Sequence, residues 1–406
     1  MRNLLPKVED SVPHEVVSYS QSLWDKLLNR VRSGEWEPWP VVIGLIFTWL
    51  LFQGLNGNFL TPRNLSNLVL QTGVVGTLGI GVVLVLLLGE IDLSLGAVCG
   101  VCASVLGVLI TNLHWPGIPA MLVTLLIGML IGLLQGAVTV YIGVPSFIVT
   151  LGGFLAWQGV QLILLGDAGE LIVLDPIVQS FASSYLTVFT SIVLGIFIVA
   201  IVLVNLLARR RSRRRAGLEP SSTSTAILRL VGVIVGTGVA IILFDAYFGI
   251  PYMVVLLLVV VALLTWMTNR SVFGRYVFAI GGNAEAARRA GIHVKTVRLA
   301  IFALASTLAA LGGILSVSRE FAVSTGTGGG TLLLEAIAAA VIGGTSLFGG
   351  RGQIYQALLG ALVIGSIENG LYLLGQPAST QNIATGIILV IAVSVDALSR
   401  RRQQTS

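Results

Sequence analysis

Along most of its length the chain repeats one pattern: about twenty apolar residues, a short polar break, then about twenty more. Only a self-satisfied backbone survives in hydrocarbon, so runs of this length read as membrane-crossing helices. Such runs fall at about 40–56, 64–88, 93–112, 117–140, 146–166 and 185–208, and again at 226–248, 250–269, 297–318, 331–347, 353–375 and 381–399. The tenth is short and Gly-rich, which leaves both a full crossing and a re-entrant segment open. Charged residues make up 10% of the chain, against about 25% in soluble domains. The expected fold is therefore an all-α polytopic membrane protein of about ten to twelve transmembrane helices.

The net charge of +6 is no nucleic-acid signal, because the basic residues sit in short blocks between apolar runs. With a cytoplasmic N-terminus, every Lys and Arg except Arg63 and Arg319 falls on the cytoplasmic side, which is 22 of 24. That asymmetry predicts both termini inside. It divides the chain into a cytoplasmic N-terminal segment (1–39), a first transmembrane half (40–207) and a basic linker (208–225). A second transmembrane half (226–399) contains a cytoplasmic loop at 271–298, and a tail follows at 400–406.

Residues 1–38 are polar and do not resemble a signal peptide. Within them, Leu23, Trp24, Leu27, Leu28 and Val31 share a helical face, which suits an interfacial helix or a solvated tail equally. Cys99 and Cys102 lie in an apolar run, where a thiolate is disfavoured, so they read as small packing residues. With His14, His114 and His293 scattered, no metal site is expected.

The loop at 271–298 carries the most specific local signal. Gly281 and Gly282 break the chain, Asn283 is a good N-cap, and Glu285 stands in the first turn, where the helix dipole favours an anion. Ala284, Ala286, Ala287 and Ala290 favour helix, Arg288 and Arg289 occupy the last turn, and Gly291 then Ile292 supply the left-handed cap and its apolar contact. The spacing predicts a capped helix of about two turns outside the membrane: a docking element, a solvated connector, or a helix on the headgroups.

That run, GGNAEAARRAGIHV (281–294), resembles the coupling-helix segment of the ribose/xylose/galactose class of ABC-importer permeases. Three further stretches resemble the same family in the same order: GEIDLSLGAV (89–98), PSFIVTLGGFLAWQGV (145–160) and LLLEAIAAAVIGGTSLFGGRGQIYQALLGALVIG (332–365). Length and the basic insertion are most like its xylose-type members; the long polar N-terminus and the run at 226–248 depart from the pattern. The resemblance implies a monosaccharide importer in the bacterial plasma membrane, driven by a separate ATPase that docks on residues 282–292. It further implies an extracytoplasmic sugar-binding protein and a second permease copy. This chain has only Lys7, Lys26 and Lys295, none after Gly, so no phosphate loop is present and ATP belongs to the partner. No cofactor is expected on the chain, and no catalytic residue.

A sugar path needs hydrogen-bonding groups inside the bundle. Trp157, Gln158 and Gln161 on the fifth run and Glu368, Asn369 and Tyr372 on the eleventh are the candidates, with Gln135 deeper. Interhelical bonding would explain the same residues. Asp245 and Glu335 are placed near external ends of their spans, without a transport role, and the Gly-rich stretch at 324–331 on the external side. Asp167, Glu170, Asp175 and Glu320 form an acidic external fringe suited to a binding protein, or simply to loop solubility. Asp92 and Ser94 read as caps of the third span, with Glu90 in the same turn. Gly-rich turns after the second and tenth runs suggest a diverged duplication. The competing classes are a secondary transporter driven by an ion gradient, which wants a charged relay in the bundle, and a polytopic enzyme, which wants clustered His, Asp or Cys.

Overall fold

A computed structural model describes residues 39–404 apart from 216 and 218–222; the N-terminal interfacial-helix reading lies outside the described residues. The compact unit Val41–Ser406 carries the membrane fold. Its helices are α1 (Trp39–Leu55), α2 (Pro62–Leu87), α3 (Leu95–Gly107), α4 (Gly117–Ala137), α5 (Ser146–Leu165), α6 (Pro176–Ser183), α7 (Val188–Arg215) and α8 (Thr223–Asp245). There follow α9 (Tyr252–Arg270), α10 (Val272–Gly282), α11 (Ala284–Arg289), α12 (Val294–Glu320), α13 (Leu332–Ile342), α14 (Ile354–Leu373) and α15 (Ala378–Gln404). All twelve apolar runs are helical, and their helix ends lie within five residues of those read from hydropathy, apart from α7, which runs on through the basic block to Arg215.

The second helix is the axis of the bundle. From Leu78 to Leu88 nothing along it is exposed, because α12, α13 and α14 wrap it. Small residues let these neighbours approach. The spacing GxxxGxxxG places Gly128, Gly132 and Gly136 of α4 against α12, where a Cβ on Gly132 would stand 2.3 Å from the Phe302 carbonyl oxygen. Close backbone packing of this kind holds helices together where lipid offers no hydrophobic drive. Both cysteines are free and buried beside it, Cys102 Sγ lying near Gly128 and Cys99 Sγ near Gly312. The α7–α8 pair instead exposes Phe189, Ile196, Phe197, Ile227, Leu228 and Ile242, as lipid-facing helices do.

Loops sort onto two faces. On the first, the 88–94 turn, the end of α10 and the 343–353 turn meet, with Gly350 N–H donating to the Leu87 carbonyl at 3.1 Å. On the second, strands β1 (Glu170–Ile172) and β2 (Ala322–Ser324) pair antiparallel with Leu171 opposite Val323. There too, Gly117 N–H donates to Asp175. Among the described residues nine helices are long and apolar enough to cross a membrane, and the helices at Pro40–Leu55, Val272–Gly282, Leu332–Ile342 and Ala378–Ile391 are apolar but shorter.

The tenth run resolves into a discontinuous element. After β2 the chain descends beside α3: Val323 packs on Gly107, Thr327 on Gly100, and Gly328 on Gly96. Only then does α13 begin. Its 11 residues span about 16 Å, roughly half the hydrocarbon thickness. The Gly-rich stretch 324–331 therefore enters the bundle and does not stay on the surface. Gly328 adopts φ +76° and Gly330 φ +60°, backbone that side-chain-bearing residues resist.

Candidate functional site

The capped helix read at 281–292 forms as its residues dictate. Asn283 Oδ1 accepts from Ala286 N–H at 2.9 Å, Gly291 takes φ +84°, and Ile292 N–H closes back to the Ala287 carbonyl at 3.1 Å. Ala287 is buried against the bundle and Ile292 half-buried, while Glu285, Ala286, Arg288, Arg289 and Ala290 face outward. Arg288 and Arg289 both reach Glu285, at 2.8 and 3.2 Å; the Arg288 hydrogen bond leads in holding that carboxyl below its ordinary range. Substituting Asn283 by Ala removes the cap, at a cost of about 1 kcal/mol. Amide exchange in α11, followed by mass spectrometry, is then expected to rise about fivefold. The preceding helix α10 went unread in the sequence; Ser271 caps it by accepting from Gly274 N–H at 3.0 Å.

Behind α11 the first face is tightly knit. Gly281 lies so close to the end of α2 that a Cβ there would meet the Leu87 oxygen at 1.8 Å. Arg298, one turn into α12, pairs with Glu90 at 3.0 Å, and Ser146 at the head of α5 donates to the other Glu90 oxygen at 2.6 Å. Ser94 occupies the N-cap position of α3 but makes no capping bond; its hydroxyl bonds Asp92 and Gln135 instead. Burial pushes the Asp92 carboxyl up to about 6 against the lowering effect of its two bonds from Ser94.

Between α2, α12, α13, α14 and α15 lies a cavity of about 360 Å³. Its walls bring together Glu368, Asn369 and Tyr372 with Gln71, Arg319, Glu335 and Gln381. Glu335 and Glu368 stand within hydrogen-bonding reach of each other, with Thr331 donating to the former and Thr385 to the latter. Glu335 is thus inside the bundle, since α13 starts there and not at the membrane surface. Asn369 is tied to Asn64 at 2.7 Å and to Gln71 at 3.3 Å. The fifth-run candidates are elsewhere. Gln161 is buried and donates to the Ser324 and Thr327 carbonyls at 3.0 and 2.9 Å, clamping the descending leg to α5. Trp157 and Gln158 are half-buried, and the Trp157 indole N–H has no protein partner.

The acidic fringe also divides. Asp167 and Glu170 are exposed. Asp175 instead caps α6, accepting from Ile177 and Val178 N–H as well as from Gly117. Glu320 lines the cavity beside Arg319. Asp245, at the end of α8, accepts from Ser191 at 3.2 Å. Among the described residues no group of three His, Cys, Asp or Glu could hold a metal ion.

A multi-pass helical bundle with a discontinuous element, an internal polar cavity and a capped protruding helix defines a membrane permease. The chain belongs to the family described as "Branched-chain amino acid transport system / permease component", whose family model matches residues 64–393. It is 38% identical over 364 residues to the xylose transport system permease protein of Escherichia coli (strain K12), covering 89% of this chain and 91% of that one. The xylose permease of Haemophilus influenzae is 36% identical, covering 92% and 99%. The fructose import permease protein of Rhizobium meliloti is 30% identical, covering 95% and 91%. No solved structure matches the chain.

Proposed function

We propose that this chain is the membrane-spanning subunit of an ATP-binding-cassette importer that carries a monosaccharide, xylose or a similar pentose or hexose, into a bacterial cell. The observation that carries the reading is the capped helix α11, exposed on one side and locked to the bundle by Ala287, Ile292 and the glycine contacts of Gly281 on the other. A separate ATPase grips residues 282–292 in the cytosol, and a sugar-loaded binding protein approaches the opposite face, where Asp167 and Glu170 are exposed. Paired ATPases need two such helices, so two copies of the chain assemble. Relatives named for xylose, fructose, allose and ribose support a sugar as cargo. The polar cavity with Glu335, Glu368, Asn369 and Tyr372 offers hydroxyl acceptors along the route.

Reconstitution tests the assignment. The purified chain alone in liposomes is expected to move no radiolabelled xylose, ribose, fructose or allose. Adding the ATPase and binding protein is expected to give ATP-dependent uptake of one of them. Unaided transport, or uptake that an uncoupler abolishes at constant ATP, would instead indicate the gradient-driven class.

A further inference from the structure

Three segments of the first face come together at one point: the 88–94 turn after α2, the head of α5, and the first turn of α12 directly behind the docking helix. Glu90 links all three. One carboxylate oxygen meets Arg298 at 3.0 Å and the other accepts from Ser146 at 2.6 Å, so neither oxygen is idle. The pair is largely shielded, with the Arg298 and Glu90 side chains 29% and 14% exposed. Shielding strengthens the attraction and makes loss of one partner costly, which separates this pair from the solvated Glu285 pairs on α11. Beside it the backbones of residues 87–89, 281–282 and 348–350 touch, and neither Gly281 nor Gly349 has room for a Cβ. Gly349 would place a Cβ 2.8 Å from both the Gly281 oxygen and the Gly89 nitrogen.

We propose that Glu90, Arg298 and Ser146 form the joint that carries displacement of the docking helix into α2 and α5. The inference rests on the permease reading above. A rigid six-residue helix cannot by itself move a bundle; it needs a short, stiff link to the long helices behind it. Arg298 lies nine residues beyond Arg289 on the continuous chain, so a shift of α11 moves the guanidinium, and Glu90 follows or the pair breaks. Interfaces of this kind switch between discrete arrangements and do not stretch. These are positioning residues, acting through the helices they hold.

The test uses the reconstituted complex of permease, ATPase and binding protein, with the sugar that wild type transports. Glu90→Gln and Arg298→Gln are each expected to lower uptake at least tenfold, while basal ATP hydrolysis and co-purification of the ATPase stay within twofold. The exchanged double variant, Glu90→Arg with Arg298→Glu, is expected to recover uptake to within threefold of wild type. Ser146→Ala, which removes one hydroxyl, is expected to raise the ATP hydrolysed per sugar about threefold, and it decides the matter if the charge variants do not insert. Single variants that transport normally, or a Ser146→Ala ratio equal to wild type, would overturn the joint. Absence of ATP-dependent uptake in wild type would instead overturn the permease reading beneath it.

Discussion

Removing residues 286–289 is expected to abolish sugar-stimulated ATP hydrolysis in the reconstituted complex, by more than tenfold, while the chain still inserts and purifies as a single species. The asymmetry of α11 is the reason. Its only buried member is Ala287, and its ion pairs are exposed, with Arg288, Arg289 and Glu285 side chains 70%, 79% and 51% accessible. Exposed pairs contribute little to stability, so the bundle does not depend on them. What the deletion takes away is the protruding surface that a partner would grip. Stimulated ATPase activity and membrane-fraction yield, measured on the same preparation, separate the two effects. Retained stimulation would refute the docking role.

Gly132→Leu is expected to act in the opposite way, destroying the fold before any function is reached. A Cβ there lies 2.3 Å from the Phe302 oxygen and 2.8 Å from the Ser306 Cβ, both on α12. Neither neighbour is the far end of a flexible side chain, so α4 and α12 must separate along the whole GxxxGxxxG seam. The cost is expected at or beyond the upper end of the ~1–3 kcal/mol typical of overpacking. The apparent melting midpoint in detergent is expected to fall by 10 °C or more, with most of the protein aggregating on size exclusion. Gly152→Leu is the matched control, because nothing lies within 4 Å of its Cβ position. Equal stability of the two variants would show that the α4–α12 seam does not hold the bundle.

The parts of this fold that a sequence can specify are those fixed by near neighbours. Span ends follow from runs of apolar residues and the Gly, Pro and charge that stop them. The capped helix α11 follows from Asn283, Glu285 and Gly291 at set offsets, and each makes the contact its position implies. Depth is different. Hydropathy places Glu335 in the first turn of an apolar helix, but not where that helix begins. Only the descent of residues 324–331 beside Gly96 and Gly100 puts Glu335 opposite Glu368, 33 positions away. Gln71 and Arg319 joined the same wall without any local signal. Asp175 illustrates the converse: an acidic residue in a loop reads as surface charge, yet the Pro176 that follows it marks a helix start, and its carboxylate is occupied by three backbone amides. Helix α10 was missed because its apolar residues match neither a full span nor a soluble loop.

The two native thiols are buried in the bundle, so a single cysteine placed on the exposed face of α11 reports its side of the membrane without background. With Ala286→Cys, a membrane-impermeant maleimide is expected to label inverted vesicles and leave intact cells unlabelled, as an ATPase grip in the cytosol demands. Labelling from outside intact cells would contradict it.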